Sequence, residues 1–334
     1  MDPFTQGALG ASLPQALTRN NKQLGVIGLF GLLGGMSPDL DVLIRSNTDP
    51  LLFLEYHRQF THSLFFIPFG GMMVGVLLYY LLGKRLGLTL LASCAYTTLG
   101  YATHALLDAC TSYGTLLLWP FSSERFAWNT MSVIDPLYTL PLLVGVLMAG
   151  IKKQARFAQI ALVWALVYPL VGSIQRDRAI TAGWELAISR GHQPVRLEAK
   201  PSFGNIVLWK TVYEIDHYYY VDAVHVAGQF KHYSGEKAKK LDIAQDFGWL
   251  NVDSQQARDI ERFRWFSNDY IALDPSDAQR IIDVRYSLVP NEITSLWGIQ
   301  LSSAAEADSH VTYITARQLS DQQREEFVRQ LLGR

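Results

Sequence analysis

Two consecutive stretches of the chain, residues 63–83 and 86–107, contain no Asp, Glu, Lys or Arg between them except Lys84 and Arg85 at the junction. The hydrocarbon core of a bilayer takes about 20 mostly apolar residues per helix, and a helix satisfies its own backbone amides there. Both stretches meet that length, so lipid is the first constraint on what this chain can fold into. Residues 157–175 form a third such run. Residues 136–151 are shorter, but the uncharged run 126–134 lies just before them. Residues 23–38 are extended by 42–44 beyond two aspartates, and 3–18 are uncharged but rich in Gly, Ala and Ser. That last segment reads as a short span, a re-entrant segment or an interfacial helix. About four to six spans are expected.

Charge divides the chain in two. Residues 1–175 hold 18 charged side chains and residues 176–334 hold 41. The expectation is therefore a transmembrane helical domain, 1–175, followed by a soluble α+β domain, 176–334. Net charge is −1, with no basic stripe of the kind a nucleic-acid partner requires. Cys94 and Cys110 form no metal or disulfide motif and read as small apolar residues. The N-terminus lacks the pattern of a cleaved signal peptide, so insertion is expected from the internal spans.

Arg19 and Lys22, then Lys84 and Arg85, then Lys152, Lys153 and Arg156 occupy short connections between the apolar runs. If the spans alternate, all seven share one side, which the positive-inside rule makes the cytoplasm. The other side receives Asp39, Asp41, His57, His62, the His104–Asp108 end, Asp135 and the C-terminal domain. Within that domain, residues 179–190 read as a helix. Strand-like runs are 206–209, 212–215, 218–226, 281–288, 299–301 and 310–314. Short helices are predicted at 237–245 and 275–280, and an amphipathic one at 320–332. The histidines of this half (192, 217, 225, 232 and 310) are scattered and read as ordinary surface or core residues.

Four motifs gather on the predicted outer face. In Gly34-Gly35-Met36-Ser37-Pro38-Asp39-Leu40-Asp41, Pro38 ends the helix and leaves two carboxylates on irregular backbone. Both can turn toward one cation, or they can be a solvated helix end. His57-Arg58-Gln59-Phe60-Thr61-His62-Ser63 supplies two imidazoles, His57 on a loop and His62 near a helix start, with Thr61 or Ser63 able to fix a tautomer or cap the helix. Arg58 suits an anionic substrate group, an aspartate, or snorkelling at the interface. His104 and Asp108, at i and i+4, share a helix face inside an apolar run, as two ligands of one ion or as a bridge between helices. Asp135-Pro136 reads equally as ligand or N-cap. Asp and His without Cys suit Zn²⁺, with Mn²⁺ second, as one or two ions. The implied chemistry is hydrolysis by a metal-activated water, with an uncoordinated carboxylate such as Asp41 or Asp135 as general base.

On these residues the chain resembles the YdjM family of inner-membrane, metal-dependent hydrolases. The likeness rests on Asp2 and Thr5 followed by Gly7-Ala8-Leu9-Gly10, then Pro38-Asp39-Leu40-Asp41. It continues through His57-Arg58, Thr61-His62-Ser63, His104 with Asp108, and Asp135-Pro136. It covers 1–175 and extends loosely to Lys200-Pro201, Trp209 and Ser295-Leu296-Trp297-Gly298. One position departs: where the family has Thr-His, this chain has Thr5-Gln6, one nitrogen fewer. The resemblance implies a multi-pass protein of the cytoplasmic membrane with an extracytoplasmic C-terminal domain and a hydrolase site. A looser likeness to zinc-dependent phospholipase C implies a phosphoester or lipid substrate. The alternatives are a metal-binding membrane protein without turnover and, third, an ion-coupled transporter, which the few spans and lack of repeats disfavour.

Overall fold

Helix α1 (Pro3–Leu17) starts where Asp2 accepts the Thr5 amide and Pro3 supplies a preset φ at the first helical position. It packs against α2 (Leu24–Met36) and α5 (Leu90–Cys110), whose first turn is capped by Thr89. Helices α4 (Ile67–Leu78) and α6 (Pro136–Lys152) complete the bundle, and a short α3 (Leu52–Tyr56) precedes α4. These come from a computed structural model that describes residues 1–19 and 21–334. The chain divides into two units. One contains Met1–Ile44, Tyr56–Ser173 and Phe203–Asn205; the other contains Arg45–Glu55, Ile174–Ser202 and Ile206–Arg334.

Glycine sets the spacing of α1, α2 and α5. A Cβ on Gly100 of α5 would lie 2.1 Å from the Gly31 carbonyl of α2, and one on Gly10 of α1 would lie 2.5 Å from that same oxygen. Backbones meet directly, as small residues permit in membrane bundles. Among the described residues, two helices are long and apolar enough to cross a bilayer: Asn21–Leu43 and the 34-residue α7 (Arg156–Ser189). A third arises if Leu52–His62 and Ile67–Gly83, bent at 86°, form one broken span. Helix α6, with 17 residues, would reach only about 26 Å. Helix α5 is longer but carries Ser, Thr, Tyr, His and Asp along its length.

The sequence predicts a span at 157–175 and a separate helix at 179–190, whereas α7 runs unbroken through both. Arg176, Asp177 and Arg178 change its polarity without breaking it, since charge does not oppose helical backbone.

The second unit holds two antiparallel sheets. In the first, β1 (Arg196–Pro201), β2 (Leu208–Ile215), β3 (Tyr218–His225) and β4 (Lys231–Tyr233) follow in order, and β5 (Lys237–Lys239) pairs the far end of β3. After the short helices α8 (Ile243–Asp246) and α9 (Gln255–Phe266), the second sheet runs β6 (Ile271–Asp274), β7 (Asp277–Asp283), β8 (Trp297–Gln300) and β9 (Thr312–Thr315). Val212, Tyr219 and Val221 from one sheet share a core with Tyr270, Ile282 and Val284 around the other. Helix α10 (Asp321–Leu331) lays Phe327 and Leu331 on Leu208, Ala223 and Tyr233.

The helix predicted at 275–280 is instead the β6–β7 hairpin. Asp274 accepts the Ser276 amide at 2.8 Å, the side-chain turn that competes with helix initiation at an Asp-Pro sequence. Of the helix predicted at 237–245, only Ile243–Asp246 is helical, because Lys237–Lys239 pairs with β3.

Lys210 of β2 is buried, with Nζ donating to Ser287 Oγ (2.8 Å) and the Glu292 carbonyl (2.7 Å), both neutral. Burial pushes its pKa down to about 7, against the pull of Asp283, Glu236, Glu292 and Asp222. The unfolded chain keeps that proton to about pH 10.4, so between pH 7 and 10 it binds more protons than the native state. Native stability attributable to Lys210 therefore rises across that window. The thermal midpoint of the full chain should climb from pH 7 to 9.5, and less so in Lys210→Met. A second expectation concerns packing. Gly100→Leu should cost about 3 kcal/mol or more by forcing α5 from α2, read as a fall in thermal midpoint in detergent.

Candidate metal centre

Pro38 does not stop the second helix but tightens it. Residues Ser37–Leu43 continue as a 3₁₀ helix, with three residues per turn. Residues two apart on such a turn face about 240° around the axis, so Asp39 and Asp41 point to different partners. Asp39 Oδ1 lies 3.5 Å from His62 Nε2 and 3.4 Å from His104 Nε2. Asp41 is buried and faces the next segment. Its Oδ1 is 2.7 Å from His57 Nδ1, and its Oδ2 accepts from the Arg58 amide (3.0 Å) and Thr61 Oγ1 (2.8 Å).

His62 closes a short 3₁₀ turn (Phe60–His62) and His104 lies within α5; both are fully buried. His104 Nδ1 donates to the Gly35 carbonyl at 2.6 Å, which fixes its proton on Nδ1. His62 Nδ1 lies 3.2 Å from the Asp41 carboxylate, which holds a proton there as well. The two Nε2 atoms stand 2.8 Å apart, a spacing that suits either a proton donated from one ring to the other or a shared cation. Asp108 Oδ2 is 3.3 Å from one and 3.7 Å from the other, and as a buried atom it accepts no hydrogen bond. Two carboxylates beside two imidazoles in a buried volume call for positive charge near them.

Arg58 and the Met1 amine supply part of that charge at Asp108, and the spacing of the donor set also fits a metal ion. Bonds of about 2.0–2.1 Å at tetrahedral angles separate ligand atoms by about 3.3 Å. The five separations quoted among Asp39, His62, His104 and Asp108 run from 2.8 to 3.7 Å. Both imidazoles carry the backbone or carboxylate partner on Nδ1 that metal-bound histidines have. Asp39, Asp41 and His57 form a second such group, nearer the surface.

Arg58 is buried with its Nε 3.0 Å from Asp108 Oδ2 and its Nη1 donating to Thr111 Oγ1 at 3.2 Å. Its φ of 67° lies in the left-handed region, a conformation costing about 1–2 kcal/mol for a non-glycine residue. The Met1 amino group and Gln6 Nε2 (2.9 Å) both contact Asp108 Oδ1. Gln6 thus stands beside the cluster, fully buried, with Oε1 accepting no hydrogen bond. Asp135 is elsewhere. It caps α6 through the Leu137 and Tyr138 amides, accepts from Tyr168 Oη at 2.8 Å, and belongs to neither carboxylate–imidazole group. Of its two readings in the sequence, the geometry shows the cap.

Apolar helices around a buried His/Asp cluster that could hold a metal ion define a membrane protein with a candidate metal centre. The YdjM inner membrane protein family matches residues 1–179, more than half the chain, and the protein belongs to that family. It is also similar to the uncharacterized protein YfhP of Bacillus subtilis (strain 168), 27% identical over 105 residues. That similarity covers 31% of this chain and 31% of YfhP, so the chain spans about a third of the length of the curated relative it matches. No solved structure matches the chain.

The geometry separates ligands from neighbours in a way metal content can check. His62→Ala and His104→Ala should each abolish tight Zn²⁺ or Co²⁺ uptake by the purified protein. Asp135→Ala should bind as wild type while losing about 1 kcal/mol of stability with the cap, read as a lower thermal midpoint.

Proposed function

We propose that this protein is a membrane-bound, metal-dependent hydrolase whose ion is held by Asp39, His62, His104 and Asp108. The observation that carries this reading is the pair of Nε2 atoms facing each other at 2.8 Å between two carboxylates. Zn²⁺ suits two imidazoles and two carboxylates best, and Mn²⁺ is the next candidate. Bound there, the cation would supply Lewis acidity and bring the acidity of water toward neutrality.

The chain's own residues take the remaining roles. Asp41 orients His62 and backs His57 at once, as its contacts with both Nδ1 atoms indicate. His57 is partly exposed, with that carboxylate behind it, and is the group placed to take and return a proton. Alternatively, the Asp39–Asp41–His57 group would take a second ion. Arg58 balances Asp108 and places positive charge beside the centre, which suits an anionic substrate such as a phosphoester. A lipid or other phosphoester is the substrate class that suits an arginine beside a metal centre at a membrane.

The wider topology belongs to the same proposal. Counting α5 and α6 as spans gives four or more crossings of the cytoplasmic membrane. The placement of Lys84, Arg85, Lys152, Lys153 and Arg156 then favours an extracytoplasmic site and C-terminal domain.

Purified wild type in detergent should retain metal and hydrolyse bis(p-nitrophenyl) phosphate or a p-nitrophenyl ester, with loss on chelation and recovery on adding Zn²⁺. His57→Gln should keep metal at Asp39, His62, His104 and Asp108 but lose about 10²–10⁴-fold in turnover, the usual worth of a positioned acid–base group. A metal-free wild type would overturn the reading. Bound metal with no turnover on any ester or phosphoester would leave a metal-binding protein without catalysis.

A further inference from the structure

We infer that Arg262 of α9 is a positioning residue for the metal centre, acting through the segment between its two N-terminal ligand groups. The inference rests on the metal reading above. Asp41 precedes residues 45–55 and His57 follows them, so this segment connects Asp39 and Asp41 to His57 and His62. Its base is closed at the site, where His57 Nδ1 and the Arg58 amide both reach the Asp41 carboxylate at 2.7 and 3.0 Å. Residues 45–55 themselves belong to the second unit.

One guanidinium grips it there. Arg262 Nη1 and Nη2 reach the two oxygens of Asp49 at 2.9 and 2.8 Å, while Nε bonds Glu55. Nη1 also donates to Asp259 Oδ1 at 2.9 Å, within α9. Asp259 is fixed in turn by Gln255 Nε2 (2.9 Å), His310 Nδ1 (2.8 Å) and the Val311 amide (3.1 Å). Buried Leu51 and Leu54 and an edge contact between Phe53 and Tyr313 complete the attachment.

The chemistry makes Arg262 hard to replace. Three carboxylates converge on it, so its loss leaves Asp49, Glu55 and Asp259 repelling one another as well as unbonded. The fork to Asp49 requires the planar guanidinium, which lysine lacks. At the far end of the segment, Arg58 sits at φ 67°, a strain that persists only where the surroundings enforce it. Releasing residues 45–55 removes one of those constraints and lets Arg58, and with it the Asp41–His57 closure, relax. Orienting partners of this kind are worth roughly 10- to 100-fold in metal affinity.

The test uses the full chain in detergent, with Co²⁺ titration followed by its visible absorption and hydrogen exchange measured across residues 37–62. Arg262→Met is expected to weaken Co²⁺ binding about tenfold or more, alter the spectrum and raise exchange over that stretch. Arg262→Lys should recover part of each. Arg264→Met on the same helix, whose guanidinium pairs with Glu261 and Asp269, should leave all three unchanged. Wild-type affinity in Arg262→Met overturns the inference whatever the exchange shows. Weakened affinity with unchanged exchange also overturns it, since the effect would not run through the segment. If wild type takes up no Co²⁺, the metal reading falls by itself. Exchange then decides the grip: a rise over 37–62 supports it and no change overturns it.

Discussion

The approach of His62 Nε2 to His104 Nε2 sets the terms for the first unit. Two imidazoles 2.8 Å apart beside carboxylates need a proton or another cation between them. Bringing them there requires α5 to lie close enough to α2 for His104 Nδ1 to bond the Gly35 carbonyl. That closeness is a backbone property. A Cβ at Gly34 would meet the Thr97 carbonyl of α5 at 2.2 Å, and one at Gly35 would meet the Gln6 carbonyl of α1 at 2.6 Å. The apolar glycines of α1 and α2, which look like low-complexity filler in the sequence, are therefore a geometric precondition of the polar cluster.

Much of that cluster is legible from spacing alone. The i,i+4 relation brings His104 and Asp108 to one face, and the uncharged run around them makes an idle pair improbable. The motifs around residues 39 and 62 are legible because polar groups at the ends of apolar runs have few other reasons to gather. Spacing could not divide the work between Asp39 and Asp41, since that depends on a 3₁₀ turn where Pro38 suggested a helix end. Nor could it decide Asp135, for which the sequence of a cap and of a ligand is the same. Arg262 is not legible in the amphipathic pattern of α9, because ion pairs between residues two hundred positions apart leave no local trace. In the second unit, strands with β-branched and aromatic runs were readable, whereas Asp274-Pro275 was ambiguous between a helix start and the hairpin it forms.

What the sequence could not express, and the hydrogen bonds do, is how far each carboxylate is satisfied. Burying an ionised carboxylate costs several kcal/mol unless donors or cations replace its water. Asp135 receives two amides and a phenol, and Asp41 an amide, a hydroxyl and two imidazole contacts. Asp108 has Gln6 and the Met1 amine on one oxygen, while the other faces Arg58 and the two histidines with no accepted hydrogen bond. Asp39, partly exposed, meets the two imidazole edges among the described residues. Asp108 is the carboxylate that meets both kinds of partner: the Met1 amine and Arg58 neutralise it, and its Oδ2 also reaches both imidazoles. Gln6 fits beside it because an amide donor on Asp108 Oδ1 stabilises the carboxylate without adding charge, leaving Oδ2 turned toward the imidazoles.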